Sequence, residues 1–131
     1  MENRKKSGSL SIRPTLEGEL LDALFKALGT SINKIRNRGG DVIFIRPPSS
    51  GEDWKIENIV NPRPLYYNAL LTSTKTQGIH FLDYSETANL ICVDGSHLSP
   101  QDAVIYTRHL IKILREEKGW IFTPNASQPV F

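Results

Sequence analysis

The sequence predicts an α/β fold: three layers, α/β/α, around a short parallel sheet. Three observations carry that expectation. Two long stretches repeat apolar residues at three- and four-residue steps, from Leu16 to Ile35 and from Ala103 to Leu114. Val42-Ile43-Phe44-Ile45 is apolar throughout, with no alternation, which suits a parallel strand covered on both faces. The elements follow in the order helix, strand, helix, strand, loop, helix.

The chain has 131 residues, enough for one domain with a single core. Hydrophobic content of 39% and charged content of 23% are those of an ordinary globular protein. A net charge of +2 is too small to argue for a nucleic-acid partner, and none is expected. One cysteine, Cys92, excludes an internal disulfide and a cysteine-based zinc site. It lies in Leu90-Ile91-Cys92-Val93, where a buried, inert thiol is expected. No apolar run has the length of a membrane span, and the first residues are too polar for a secretory signal. With Met1 as the true start the expected compartment is the cytoplasm; as the back end of a longer chain it has no assignable compartment.

Residues 1–14, with Arg4, Lys5, Lys6 and Arg13 among Ser and Gly, read as a flexible basic lead-in. A domain follows over 15–119. Its first helix runs over 15–38 on a stripe of Leu16, Leu20, Leu24, Leu28, Ile32 and Ile35, widened by Leu21 and Phe25, and Gly39-Gly40 stop it. Lys34, Arg36 and Arg38 crowd its last turn, where cations favour the helix dipole. After the strand 42–45, Arg46-Pro47-Pro48-Ser49-Ser50-Gly51 forces a turn. Residues 52–63 read as an irregular loop. A second helix is expected over 64–76 and a strand over 79–84, Ile79-His80-Phe81-Leu82-Asp83-Tyr84. The final helix opens on Ser99 as N-cap and Pro100 at its first position, with Asp102 placed for a capping box. Its stripe of Ala103, Thr107, Leu110, Ile111 and Leu114 should face the sheet, and Gly119 ends it. Residues 120–131 form a C-terminal tail. Two strands do not make a stable sheet, so the order reads as the C-terminal part of a larger domain that lacks its first strands.

Asp94-Gly95-Ser96-His97 is the segment with chemistry in it. Asp three residues before His, on a tight loop eased by Gly95, can hold an imidazole so that it takes a proton from a nucleophile. The competing reading is a helix cap with an incidental histidine, but Ser99 already fills the cap. His80 and Asp83 form the mirrored spacing and raise a metal site. On a strand they point to opposite faces, so no metal is expected; His80 reads as structural, while Asp83 could line the site. A serine for the dyad is harder to find. Ser7, Ser9 and Ser11 follow no strand. Ser49 and Ser50 follow one, yet nothing beside them forms an oxyanion hole, so they read as pocket-lining turn residues. Trp54, Tyr66, Tyr67 and Trp120 are candidates for a contact surface. Asn125-Ala126-Ser127 matches a glycosylation pattern that is common by chance.

Asp94-Gly95-Ser96-His97-Leu98-Ser99 resembles the last block of the SGNH, or GDSL-like, hydrolases, serine ester hydrolases of flavodoxin-like architecture. The resemblance extends over residues 16–118, through Gly39-Gly40-Asp41-Val42-Ile43-Phe44-Ile45-Arg46-Pro47-Pro48-Ser49-Ser50-Gly51, Gly78-Ile79-His80-Phe81-Leu82-Asp83-Tyr84 and the Leu98–Leu114 helix. It implies that His97 is the general base, that Asp94 orients it, and that an ester or acetyl group is the substrate, with no cofactor. The chain departs from the family in two places. It has no Gly-Asp-Ser, which supplies the nucleophile, and no Gly and Asn block for the oxyanion hole; Gly29-Thr30-Ser31-Ile32-Asn33 lies mid-helix. The expectation is therefore a C-terminal half, inactive alone. The alternative is a non-catalytic assembly module that pairs through an exposed sheet edge with itself, as a homodimer, or with another chain; a third is an enzyme whose serine half comes from a separate, complementing chain.

Overall fold

In the computed structural model, residues 16–123 are described, and they are mixed α/β with a two-stranded parallel sheet. The expected lead-in, the start of the first helix at Thr15, Ser7, Ser9 and Ser11, the Asn125 motif and most of the tail lie outside these residues. Helix α1, Gly18–Arg36, buries Phe25 and Ile32, and ends where the Gly40 N–H reaches Ile35 O at 3.0 Å. Strand β1, Ile43–Arg46, is short because Pro47 and Pro48 have no amide hydrogen to continue a ladder. Helix α2, Gly51–Val60, then replaces the expected irregular loop. It buries no residue, so it has no apolar stripe to show in the sequence. It is held instead by Glu52 and Asp53 in its first turn and a Lys55–Glu52 pair at 2.8 Å.

Helix α3, Tyr67–Thr74, is shorter than the expected 64–76 and packs against α1. Arg36, expected to serve its own helix end, reaches across to Thr74 O at 3.2 Å and Lys75 O at 2.7 Å, the end carbonyls of α3. Strand β2, Gln77–His80, pairs parallel with β1 in the register Ile43↔Gln77 to Arg46↔His80. It stops four residues before the expected Tyr84. His80 Nδ1 accepts the Leu82 N–H at 3.2 Å and turns the chain into a 3-10 turn, Phe81–Asp83. A single turn, α4, Ser85–Ala88, follows, with Thr87 Oγ1 buried and donating to Phe81 O at 2.6 Å.

Helix α5, Pro100–Glu116, is capped as expected by Ser99 Oγ, which accepts the Asp102 N–H at 3.1 Å. Its buried face differs from the expected one. Ile113 and Leu114 are buried and Leu110 packs beside them, whereas Thr107 and Ile111 are exposed. The register sorts the two faces of the sheet. Ile43, Ile45 and Ile79 share one, where Ile43 and Ile79 meet α5 in a cluster with Tyr84 and Trp120. Phe44, Arg46, Gly78 and His80 share the other, where Gly78 lies under Tyr67 and Leu71 of α3. The core is thin. Phe25, Ile32, Ile79, Phe81, Cys92, Ile113 and Leu114 are the buried apolar residues among those described.

Candidate functional site

The loop after α4 is tied to the turn that follows β1. Ser50 N–H donates to Gly95 O at 2.9 Å and Ser49 Oγ donates to the same oxygen at 3.1 Å. Ser50 Oγ accepts the Cys92 N–H at 2.9 Å, and Cys92 Sγ lies 3.4 Å from Pro48 O. Cys92 is buried, and burial pushes its thiol pKa up, as an inert thiol requires. The turn after β1 thus clamps the Asp94 loop at the carboxyl ends of the strands. That is the edge at which open α/β sheets place their ligands. Gly95 makes the clamp close: at φ +95°, a Cβ there would come within 2.4 Å of Asp53 Oδ2 on α2.

Within the loop, Asp94 uses both oxygens. Oδ1 accepts the Ser96 N–H at 3.0 Å and the His97 N–H at 2.7 Å, and Oδ2 lies 2.8 Å from His97 Nδ1. Those two backbone hydrogen bonds, and then the imidazole, hold the Asp94 pKa down at about 2. The carboxylate is ionised and accepts only, so in the neutral ring the proton sits on Nδ1 and the Nε2 lone pair is basic. Ser96 Oγ is 3.0 Å from Nδ1 and so cannot be the hydroxyl that Nε2 would deprotonate. The imidazole is 80% exposed.

The other expected site residues are placed as follows. Ser49 lines a cavity of about 410 Å³ together with Asp53, Ser96, Arg46 and Glu57. Ser49 Oγ donates to Gly95 O and Ser50 Oγ accepts from the Cys92 amide, so both side chains tie down the Asp94 loop. Asp83 sits on the 3-10 turn and is held by Arg63 through two hydrogen bonds of 2.8 Å, away from Asp94. Its hydrogen bonds to Arg63 lower its pKa. His80 is 2% exposed and stacks on Phe81, with the edges of Trp54 and Tyr67 against it. Burial, reinforced by Arg63 and Arg46, pushes its pKa down to about 4.

One feature was marked in the sequence only by its aromatic residues, Trp54, Tyr66 and Tyr67. On the α1 and α3 face of the sheet, α2 closes a cavity of about 600 Å³ that Arg46, Trp54, Arg63, Tyr67 and His80 line from below and the leucines of α1 line from above. Its residues come from five elements, so no other local pattern marks it. Among the described residues, no three His, Cys, Asp or Glu side chains are grouped to hold a metal ion. No helix among them is long and apolar enough to cross a membrane. Comparison with protein-family models, with curated proteins and with solved structures finds no match for the chain.

Proposed function

We propose that Asp94 and His97 are the acid–base half of a serine-type ester hydrolase of the SGNH kind, with flavodoxin-like architecture. One observation carries this reading. Asp94 Oδ2 holds His97 Nδ1 at 2.8 Å on a loop at the carboxyl end of a parallel sheet, leaving Nε2 without a hydrogen bond among the described residues. In this role His97 takes the proton of a serine hydroxyl as it attacks an ester carbonyl, and returns it to the leaving alcohol; Asp94 stabilises the imidazolium between those steps. The chain contains no Gly-Asp-Ser, Ser49 Oγ donates to Gly95 O and Ser96 Oγ lies at His97 Nδ1, so on this reading the nucleophile and oxyanion donors come from other residues.

The test is an acyl-enzyme burst with 4-nitrophenyl acetate. The 131-residue chain should give none. A co-purified polypeptide carrying Gly-Asp-Ser should restore turnover, and His97→Ala should abolish it. Turnover in such a complex that survives His97→Ala removes the dyad from the reaction.

A second reading, a non-catalytic assembly module, is favoured by the sheet itself. Each of its two strands has one unpaired edge among the described residues, and Ile45 on β1 is exposed.

A further inference from the structure

The larger cavity combines apolar walls with polar atoms that the fold leaves unused. His80 is buried, and its hydrogen bond among the described residues is made by Nδ1, which accepts from the Leu82 amide. An accepting Nδ1 carries no proton, so the ring hydrogen is on Nε2. That N–H has no partner among the described residues, and His80 lines the cavity. Although the residue as a whole is buried, Nε2 is not among the buried atoms left without a partner, so its N–H is open to a molecule in the cavity.

Tyr67 supplies a second donor. Its ring stands edge-on to His80, with centroids 5.0 Å apart, and its hydroxyl lies over Gly78, where a Cβ would approach it to 2.3 Å. The hydroxyl also makes no hydrogen bond among the described residues. Glycine at 78 is thus what lets the phenol lie flat over β2 beside His80.

The charges around these donors decide what they can take. Arg46 is bound by Glu57 through both of that carboxylate's oxygens, and Arg63 is bound by Asp83 in the same way. Both guanidiniums are therefore compensated in place, and Glu57 itself lines the cavity. Among the described residues lining it, an anion would meet a carboxylate and no unpaired cation. A neutral acceptor meets two neutral donors. The opposite wall is Leu21, Leu24 and Leu28, one stripe of α1 that offers only hydrocarbon. A volume of about 600 Å³ is that of a small-molecule site.

We propose that this cavity binds an uncharged aliphatic carbonyl compound, with its oxygen on His80 Nε2–H and the Tyr67 hydroxyl and its chain along Leu21, Leu24 and Leu28. The site uses neither Asp94 nor His97, so it stands whether or not the dyad serves a hydrolase.

Titration of the isotopically labelled chain with 2-decanone, followed by NMR, tests it. Saturable shifts at His80, Tyr67 and Leu24 are expected. Tyr67→Phe, which removes one oxygen, should weaken binding by about tenfold, the worth of a hydrogen bond. Leu24→Trp, at a partly exposed position of α1, should abolish binding while circular dichroism shows the fold intact. Decanoate should bind at least tenfold more weakly than 2-decanone. Absence of saturable shifts in the folded chain overturns the proposal. So does unchanged affinity in both variants, and decanoate binding as tightly as the ketone overturns the neutral-acceptor assignment.

Discussion

Asp94 divides its carboxylate between the backbone of its own loop and the imidazole of His97. Asp94→Asn separates the two tasks. The amide oxygen can keep the Ser96 and His97 N–H bonds, but the amide nitrogen donates to Nδ1 and forces the ring proton onto Nε2. Nitrogen NMR of the His97 ring should show that tautomer in the variant and the Nδ1–H form in the parent. A ring that keeps its proton on Nδ1 would show that Asp94 does not set it. His80 makes the second prediction at this scale. Its folded pKa of about 4 lies below the ordinary 6.5, so the unfolded chain binds this proton first as pH falls. The stability that neutral His80 contributes is full above about pH 6.5 and is lost through the window down to about pH 4. The ceiling is roughly 3 kcal/mol at 1.36 kcal/mol per pKa unit. Urea midpoints at pH 7.5 and 4.5 measure it, and His80→Leu should flatten the difference. The Asp94–His97 hydrogen bond was legible in the sequence because its groups lie within four consecutive residues. The His80 cluster was not, because Trp54, Tyr67 and His80 meet only after β1, α2 and α3 are in place.

Between elements, the contact to probe is the one that joins α2 to the dyad loop. Gly95 combines a left-handed φ with a Cβ position occupied by Asp53. Gly95→Ala should cost about 1–3 kcal/mol in chemical denaturation, from backbone strain plus the clash. Asp53→Ala in the same chain should recover the clash and leave the strain. If the double variant is no more stable than Gly95→Ala alone, the side-chain contact has no energetic weight. The elements also show which patterns could be read. Helices α1 and α5 were legible because each repeats apolar residues over several turns, and β1 because its run is unbroken. Helix α2 was not, since it is held by charges and by one aromatic side chain, not by a stripe. The strand expected over 79–84 was cut short by a hydrogen bond that the His80 side chain accepts from the Leu82 N–H, which hydropathy does not encode. On α5 the apolar positions allowed two overlapping faces, and Ile79 selected the one with Ile113.

Across the whole molecule, burial is uneven. A few apolar side chains are buried between α5 and the sheet and under α1, while Leu20, Ile59, Ile91 and the 90% exposed Val93 face solvent. A two-stranded parallel sheet is below the size at which sheets are stable unaided, and among the described residues each strand has unpaired N–H and C=O groups on one side. These two facts describe one deficit, apolar surface and backbone both lacking a partner, and they point to association at the sheet edge. Sedimentation velocity at tens of micromolar should show a dimer or larger species. Ile45→Lys tests the edge directly. Ile45 is 40% exposed on β1, and a charge on an edge strand opposes pairing with another strand. The variant should move the distribution toward monomer by several-fold in association constant without loss of helical signal. A parent chain that sediments as a folded monomer, with Ile45→Lys indistinguishable from it, would show that the thin core and the open edge are stable in water as they stand.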